Sequence, residues 1–269
     1  HTPIEYGCFC DKCIEKFNRL HKTDFTREAL VKEINFGDIV WRERFIEFIK
    51  DGVGELMREL CKIIHKLLPG TYVGLQQGTM GGYVGDAGNS YLYKIIYEVT
   101  GYPMGVRPGG GAYTDQDMRE FIKKGNEIER QARECQDFVT DIRPEIESLP
   151  YVSYGKSIPA TCFESTYYLA SGANAVSYAM MMRIREEYSW YEKFFNRFSE
   201  HKEYWKALSD INKKTVQSGV NAVYPDGRWR IKCNNLFDYA KSDEANERIL
   251  RYISLPISYN KTSDGPCII

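Results

Sequence analysis

The chain has 269 residues, 43% of them hydrophobic and 27% charged, enough for one large domain or a domain and a half. A formal net charge of −1 provides neither a basic field for nucleic acid nor an acidic tail for a charged partner. Mean hydropathy is −0.47 and no apolar run reaches the roughly 18 residues a membrane helix needs, so nucleic-acid and membrane roles are not expected.

In chain order, residues 1 to 13 read as loop. Ile14, Phe17 and Leu20 then fall at helical spacing. A longer helical pattern passes through Phe45, Phe48, Ile49, Val53, Leu56, Leu60, Ile63, Ile64 and Leu67 and stops at Pro69-Gly70. The apolar run at residues 72 to 76 predicts a buried strand, followed by a Gly-rich loop and a helix over residues 91 to 99. A second strand, over residues 102 to 107, opens into Pro108-Gly109-Gly110-Gly111. A helix over 115 to 135, a strand over 137 to 143, a helix over 160 to 171 and a strand over 175 to 180 follow.

Strands alternating with helices at intervals of roughly 30 to 40 residues are a run of βα units and imply a parallel sheet. Four such strands make half of an eight-unit barrel or a small open sheet, and periodicity does not choose between them. Residues 186 to 214 are polar, aromatic and helical in pattern, and Gly219 to Tyr224 begins another strand. A domain boundary is therefore expected near residue 186, with residues 1 to 186 in one domain and 187 to 269 opening a second.

Twenty Tyr suit sugar stacking, and equally a Tyr-rich core. The 8 Cys are too sparse for a disulfide framework, which points to a reducing compartment and so to cytoplasm ahead of periplasm. The chain opens at His1-Thr2-Pro3 without Met, which reads as a cut. Three thiols stand together, Cys8, Cys10 and Cys13, at C-x-C-x2-C spacing that can aim them at one soft metal. A tetrahedral zinc would need a fourth ligand, from upstream of His1, from Cys61 or from a His; the alternative is three free thiols.

This segment, Glu5-Tyr6-Gly7 followed by the cysteine cluster and Phe17, resembles the loop after the fourth barrel strand of family forty-two β-galactosidases. The long helix with Trp41 ahead of it, ending Leu68-Pro69, is similar as well. The resemblance implies the back half of a (β/α)8 TIM barrel, about strands four to eight, then a flavodoxin-like α/β domain. It implies retaining hydrolysis of β-galactosides or related β-hexosides such as mannosides, and a homo-oligomer, dimer or trimer. Structural zinc would sit on Cys8, Cys10 and Cys13, with no catalytic cofactor. His1 matches a His that precedes the cluster in a group of related hydrolases, and the acid/base carboxylate would lie upstream of it.

On that count the strands at 72–76, 102–107 and 137–143 are five, six and seven, and Glu145 takes the nucleophile position, favoured over Glu147. Barrel enzymes place catalytic groups at the C-terminal ends of strands. Candidate sugar contacts are Glu147, Lys156, Arg107, Tyr113, Gln76, Gln77 and His1, with Arg107 and Tyr113 also able to orient the nucleophile. Read without the resemblance, Glu145 is a solvated loop acid paired with Arg143 or Lys156, and the glycines and glutamines are ordinary loop residues. No G-x-S-x-G, H-E-x-x-H or phosphate-loop motif is present. The competing functions are a non-catalytic carbohydrate-binding or structural barrel with a zinc-stapled loop, and a zinc-stapled interaction module.

Overall fold

The structure is a computed structural model that describes residues 8–76, 89–108, 111–116, 118–134, 137–181, 186–213, 218–222, 249–259 and 267–268. These fall into two compact units, one comprising residues 8–71 and 89–101 and the other the remainder.

The first unit is helical, with α1 (Asp11–His21), α2 (Arg27–Phe36), α3 (Ile39–Leu67) and α4 (Asn89–Thr100). Helix α1 begins inside the segment expected to be loop, because Cys10 is already extended and acts as its N-cap. Helix α2 was not foreseen: only Leu30 and Ile34 of its ten residues are buried, too few to stand out as a stripe. Its start is nonetheless chemically marked, since the Thr26 side chain accepts from the backbone N–H of Ala29. Asp38 caps α3 by accepting from Val40 N–H, which places Trp41 within that helix rather than ahead of it. The core beneath these helices is aromatic. Phe9 stacks on Phe45 at 4.5 Å, and Phe17 meets Phe45 and Phe48 edge-on at 5.5 and 5.6 Å. Arg42 is buried beside them, and its guanidinium donates to the carbonyls of Ile34 and Asn35 at 2.8 and 3.1 Å. Those carbonyls end α2, where the last turn lacks intrahelical donors and carries partial negative charge.

The second unit is built on parallel strands. β1 (Gly74–Gln76), β2 (Met104–Arg107), β3 (Val139–Ile142), β4 (Glu145–Glu147) and β5 (Ser177–Ala179) are interleaved with α5 (Arg119–Glu134) and α6 (Ile158–Ala170). All four expected strands are present, and every described strand pair is parallel. The third is divided in two at Arg143-Pro144. Proline has no N–H to donate, and the chain changes partners there. Arg143 and Glu145 N–H donate back to Val106 and Pro108 of the β2 edge, at 2.8 and 2.9 Å. Asn174 and Ser177 N–H donate from the β5 side to Ile142 and Pro144, at 2.8 and 2.9 Å. β3 and β4 are thus halves of one strand, and the ladder runs β1, β2, β3/β4, β5 in chain order. A doubly wound sheet reverses its strand order at a switch point; this ladder does not.

Alternation along these strands separates two faces. Met104, Val106, Ile142 and Ile146 are buried on one; the exposed Tyr178 shares that face and its hydroxyl bonds Ser165 of α6 at 2.9 Å. Gly105, Arg107, Asp141, Glu145 and Glu147 lie on the other. Helices α5 and α6 press together at Gly125, where an added Cβ would stand 2.2 Å from the Tyr167 ring. The helix expected from residue 115 starts at Arg119, because residues 111–116 form a turn with left-handed backbone at Gly111 (φ 78°) and Ala112 (φ 59°).

After β5, a 3-10 turn (Tyr188–Tyr191) leads into α7 (Glu192–Asn212), which packs on α6 and bonds it from Trp205 Nε1 to Thr166 Oγ1 at 2.9 Å. β6 (Val220–Ala222) then stands between β7 (Ile257–Ser258) and β8 (Cys267–Ile268) in a separate three-stranded sheet. That order, first strand central, is the order in which a flavodoxin-like sheet begins. No described helix is long and apolar enough to cross a membrane.

Candidate functional site

Among the described residues, two of the groups expected to carry chemistry are brought together, one in each unit. In the helical unit, the sulfurs of Cys8, Cys10 and Cys13 all lie within 4.8 Å of one another. Cys10 caps α1 and Cys13 occupies its first turn, so the three-residue spacing turns both toward Cys8. The loop is anchored from within: Phe9 is buried against Phe45, and its carbonyl accepts from Arg27 Nε at 2.8 Å. Hydrogen bonds, first from the Cys13 backbone and then from the Cys8 and Cys13 thiols, push the Cys10 thiol below its ordinary pKa. Burial and the neighbouring sulfurs push Cys13 up to about 12. Zinc–sulfur bonds of about 2.3 Å in tetrahedral geometry place sulfurs about 3.8 Å apart, so a small contraction would let these three share an ion. The cluster could therefore hold a metal. Among the described residues no fourth Cys or His joins it: Cys61, one candidate, is buried in α3 outside the group.

In the parallel unit, Glu145 meets Arg107. Nη1 of the arginine lies 2.9 Å from Oε1 of the carboxylate, and the Glu145 side chain is 15% exposed. The pairing follows from the ladder, because Glu145 N–H bonds Pro108 and so carries the carboxylate to the end of β2. Gln76 is in register with Arg107 across β1 and β2. Both line a cavity of about 280 Å³ with Tyr72, Asp141 and Arg143. Its floor is cleared by glycine: a Cβ on Gly105 would come within 3.1 Å of the Tyr72 ring. Arg143 is engaged by Asp141 at 3.0 Å, so Glu145 pairs with neither of the partners an ordinary loop acid was expected to find.

Around this pair, the loop after β4 is drawn in by its neighbours. Leu149 N–H donates to the Tyr113 carbonyl at 3.3 Å, which brings the Gly-rich turn beside the end of β4. Tyr151 donates its hydroxyl to Glu147 at 3.4 Å, and the charge on Glu147 raises the Tyr151 pKa. Ser153 donates from its N–H and its hydroxyl to Glu186 beyond β5, at 3.0 and 3.2 Å, and Tyr191 donates to the same carboxylate. Asp115 accepts from Ser157 N–H at 3.2 Å, and bonds from Ser157 hold its pKa below the usual carboxylate value.

Lys156 is a correction. It was expected at the sugar, but its side chain is fully buried, with Nζ 2.6 Å from Glu164 Oε2 and donating to the Ala112 carbonyl. A charge this deep is retained only when paired, and Lys156 is used up within the protein. Its partner Glu164 on α6 was not foreseen, nor was Lys124 on α5. Lys124 Nζ donates to the Glu145 carbonyl and stands 4.0 Å from Glu164. Both had a signal in sequence: Lys124 falls between Phe121 and Ile128 on the buried stripe of α5, and Glu164 lies with Thr161, Ser165 and Tyr168 on that of α6. His1 and Gln77, with the glycines 81–82, 85 and 109–110, lie outside the described residues.

A larger cavity, about 530 Å³, is lined by Asn174, Tyr178, Phe198, Lys202 and Trp205 among others. It is lined by residues of α7 and of the start of β5, and Glu145 is not among them. Scans of this chain against protein-family models, curated proteins and solved structures return no match.

Proposed function

We propose that this chain belongs to a retaining glycoside hydrolase that acts on β-galactosides or related β-hexosides. On this reading the sequential parallel ladder is part of a (β/α)8 barrel, and its polar face, bearing Arg107, Glu145 and Glu147, looks into the active site. The sheet around β6 opens a flavodoxin-like domain. The observation that carries the proposal is the Arg107–Glu145 pair, in which Arg107 ends β2 and Glu145 opens β4, beside the kind of strand end where barrel enzymes keep their chemistry.

The chemistry asked of Glu145 is nucleophilic. Its carboxylate attacks the anomeric carbon and forms a glycosyl ester while the bond to the aglycone oxygen breaks and a second carboxylic acid protonates that oxygen. The second acid, now a base, takes a proton from water, which cleaves the ester, releases the sugar and restores both carboxyl groups. Arg107 orients the nucleophile and offers it a fixed counter-charge, a role suited to a planar guanidinium. Tyr113, Gln76 and Glu147 supply hydrogen bonds to sugar hydroxyls. The acid/base group is expected ahead of the cysteine loop. Zinc on Cys8, Cys10 and Cys13 would tie that loop to α1 and take no part in a step, because a closed site leaves no position for substrate.

The test is a panel of nitrophenyl β-glycosides on the full-length protein with two matched variants. Glu145→Gln keeps shape and removes charge, and is expected to lower turnover by on the order of 10⁶-fold, the scale of losing a nucleophile. Glu147→Gln is expected to bind sugar more weakly but still turn over. The reverse outcome would exchange the two roles. Full activity in both variants would place the nucleophile elsewhere and leave Glu145 and Glu147 as rim charges, whereas a parent that binds sugar and turns over no glycoside would be a carbohydrate-binding barrel.

A further inference from the structure

Beneath the candidate site lies a closed group of ionisable side chains that the reaction does not use. Glu164, on α6, is completely buried and receives two donors, Lys156 at 2.6 Å and the Tyr168 hydroxyl at 2.7 Å, with the Lys124 ammonium a second cation 4.0 Å away. Each lysine also donates to a backbone carbonyl of the site above. Lys124 bonds that of Glu145, and Lys156 bonds that of Ala112 beside Tyr113. The two ammonium groups also lie 5.2 Å from the Tyr168 ring and 5.3 Å from the Phe121 ring respectively, which offers each cation an aromatic neighbour.

From this geometry we infer that Glu164 is a positioning residue, which sets the strand carrying Glu145 and the turn carrying Tyr113 through Lys124 and Lys156. The inference rests on the glycosidase reading of Glu145. Its physical basis is that main-chain atoms, not only side chains, must be held for a nucleophile to keep its attack distance. A carbonyl gripped by a buried cation cannot swing without exposing that cation to an apolar wall. The desolvation that makes such a cation costly is evident here: burial pushes the Lys124 pKa down and that of Glu164 up, while each charge draws the other back.

Charge counting separates positioning from mere stability. Two cations share one anion, so Lys124→Met removes the surplus charge and leaves the 2.6 Å Lys156–Glu164 pair intact. A purely structural role predicts that this variant is as stable as the parent, or more so, and fully active. The positioning role predicts unchanged or raised Tm together with a kcat about 30- to 100-fold lower, the order of loss caused by a misplacement near 1 Å. KM should move less than about threefold, since ground-state sugar contacts are untouched. Lys156→Met instead releases the Tyr113 turn and should act mainly on KM.

The experiment is steady-state kinetics and thermal unfolding of full-length protein carrying Lys124→Met, Lys156→Met or Glu145→Gln, with a nitrophenyl β-galactoside as substrate. Lys124→Gln, which keeps a shorter neutral donor, replaces Lys124→Met if that variant does not fold, with an intermediate kcat expected. Loss of kcat at preserved Tm, beside an inactive Glu145→Gln, is the expected result. An inactive Glu145→Gln beside a Lys124 variant of parental kcat overturns the positioning role alone. A Glu145→Gln that keeps its turnover overturns the reading of the site and this inference together.

Discussion

The two units of this chain hold their reactive groups in opposite ways. In the helical unit the core under the reactive loop is aromatic: Phe9, Phe17, Phe45 and Phe48 pack beneath Cys8 and Cys10, whose thiols face solvent, and the buried Arg42 is bonded to the carbonyls that end α2. In the parallel unit the charges are inside: Lys124, Lys156 and Glu164 are almost wholly buried directly under the Arg107–Glu145 pair. A site laid over an apolar core can lose its ligands without disturbing what supports it. A site hung from buried ions shares its support with the fold, so that stability and activity become coupled.

Two substitutions of comparable cost should break this comparison apart. Phe17→Ala removes a fully buried ring and is expected to cost about 3 to 5 kcal/mol. Glu164→Ala strands two buried lysines and is expected to cost about 3 to 5 kcal/mol. Urea unfolding should return similar losses for both. Turnover, measured well below the unfolding midpoint, should fall only for Glu164→Ala, because only there does the support reach the Glu145 carbonyl.

A smaller effect sharpens the other half of the comparison. Cys10→Ser should weaken zinc uptake, read by metal analysis and by loss of the Tm gain that added zinc gives the parent. Its kcat should match the parent, since the cluster provides no step. A large fall in kcat would mean that the loop, and not Glu145 alone, belongs to the chemistry.

The smallest effect concerns the turn beside the site. Bonds from Ser157 depress the pKa of Asp115, so its contribution to stability is present above its unfolded value, about 3.9, and is lost as pH falls through the folded value. Asp115→Asn should therefore be slightly less stable than the parent at pH 7, by a margin that narrows at pH 3. Urea midpoints at the two pH values check this.

What was legible in the sequence was what local spacing determines. C-x-C-x2-C at a helix start makes three sulfurs converge, because Cys10 and Cys13 are one turn apart. The strands at 74–76, 104–107, 139–142 and 177–179 were marked by apolar runs at βα intervals; the acid beyond the third was expected at a strand end and instead opens β4. What was not legible depended on tertiary partners. Lys156 has no local feature that separates a sugar-binding lysine from a buried one; its burial comes from Glu164 and Ala112, the latter 44 residues away. The choice of Arg107 over Arg143 as the partner of Glu145 depends on the partner exchange at Pro144, which ladder hydrogen bonds reveal and residue patterns do not. Helix α2 escaped because its propensity is carried by a cap and two buried residues instead of a stripe.

The central claim is that Glu145 is the nucleophile. Its most direct test is to incubate the full-length protein with an activated 2-deoxy-2-fluoro-β-galactoside, which slows release of a glycosyl ester, and to locate the added mass by peptide sequencing. One sugar ester is expected, on Glu145, and none in Glu145→Gln. An ester on Glu147 or on any other carboxylate, in a protein that turns over β-galactosides, would contradict it.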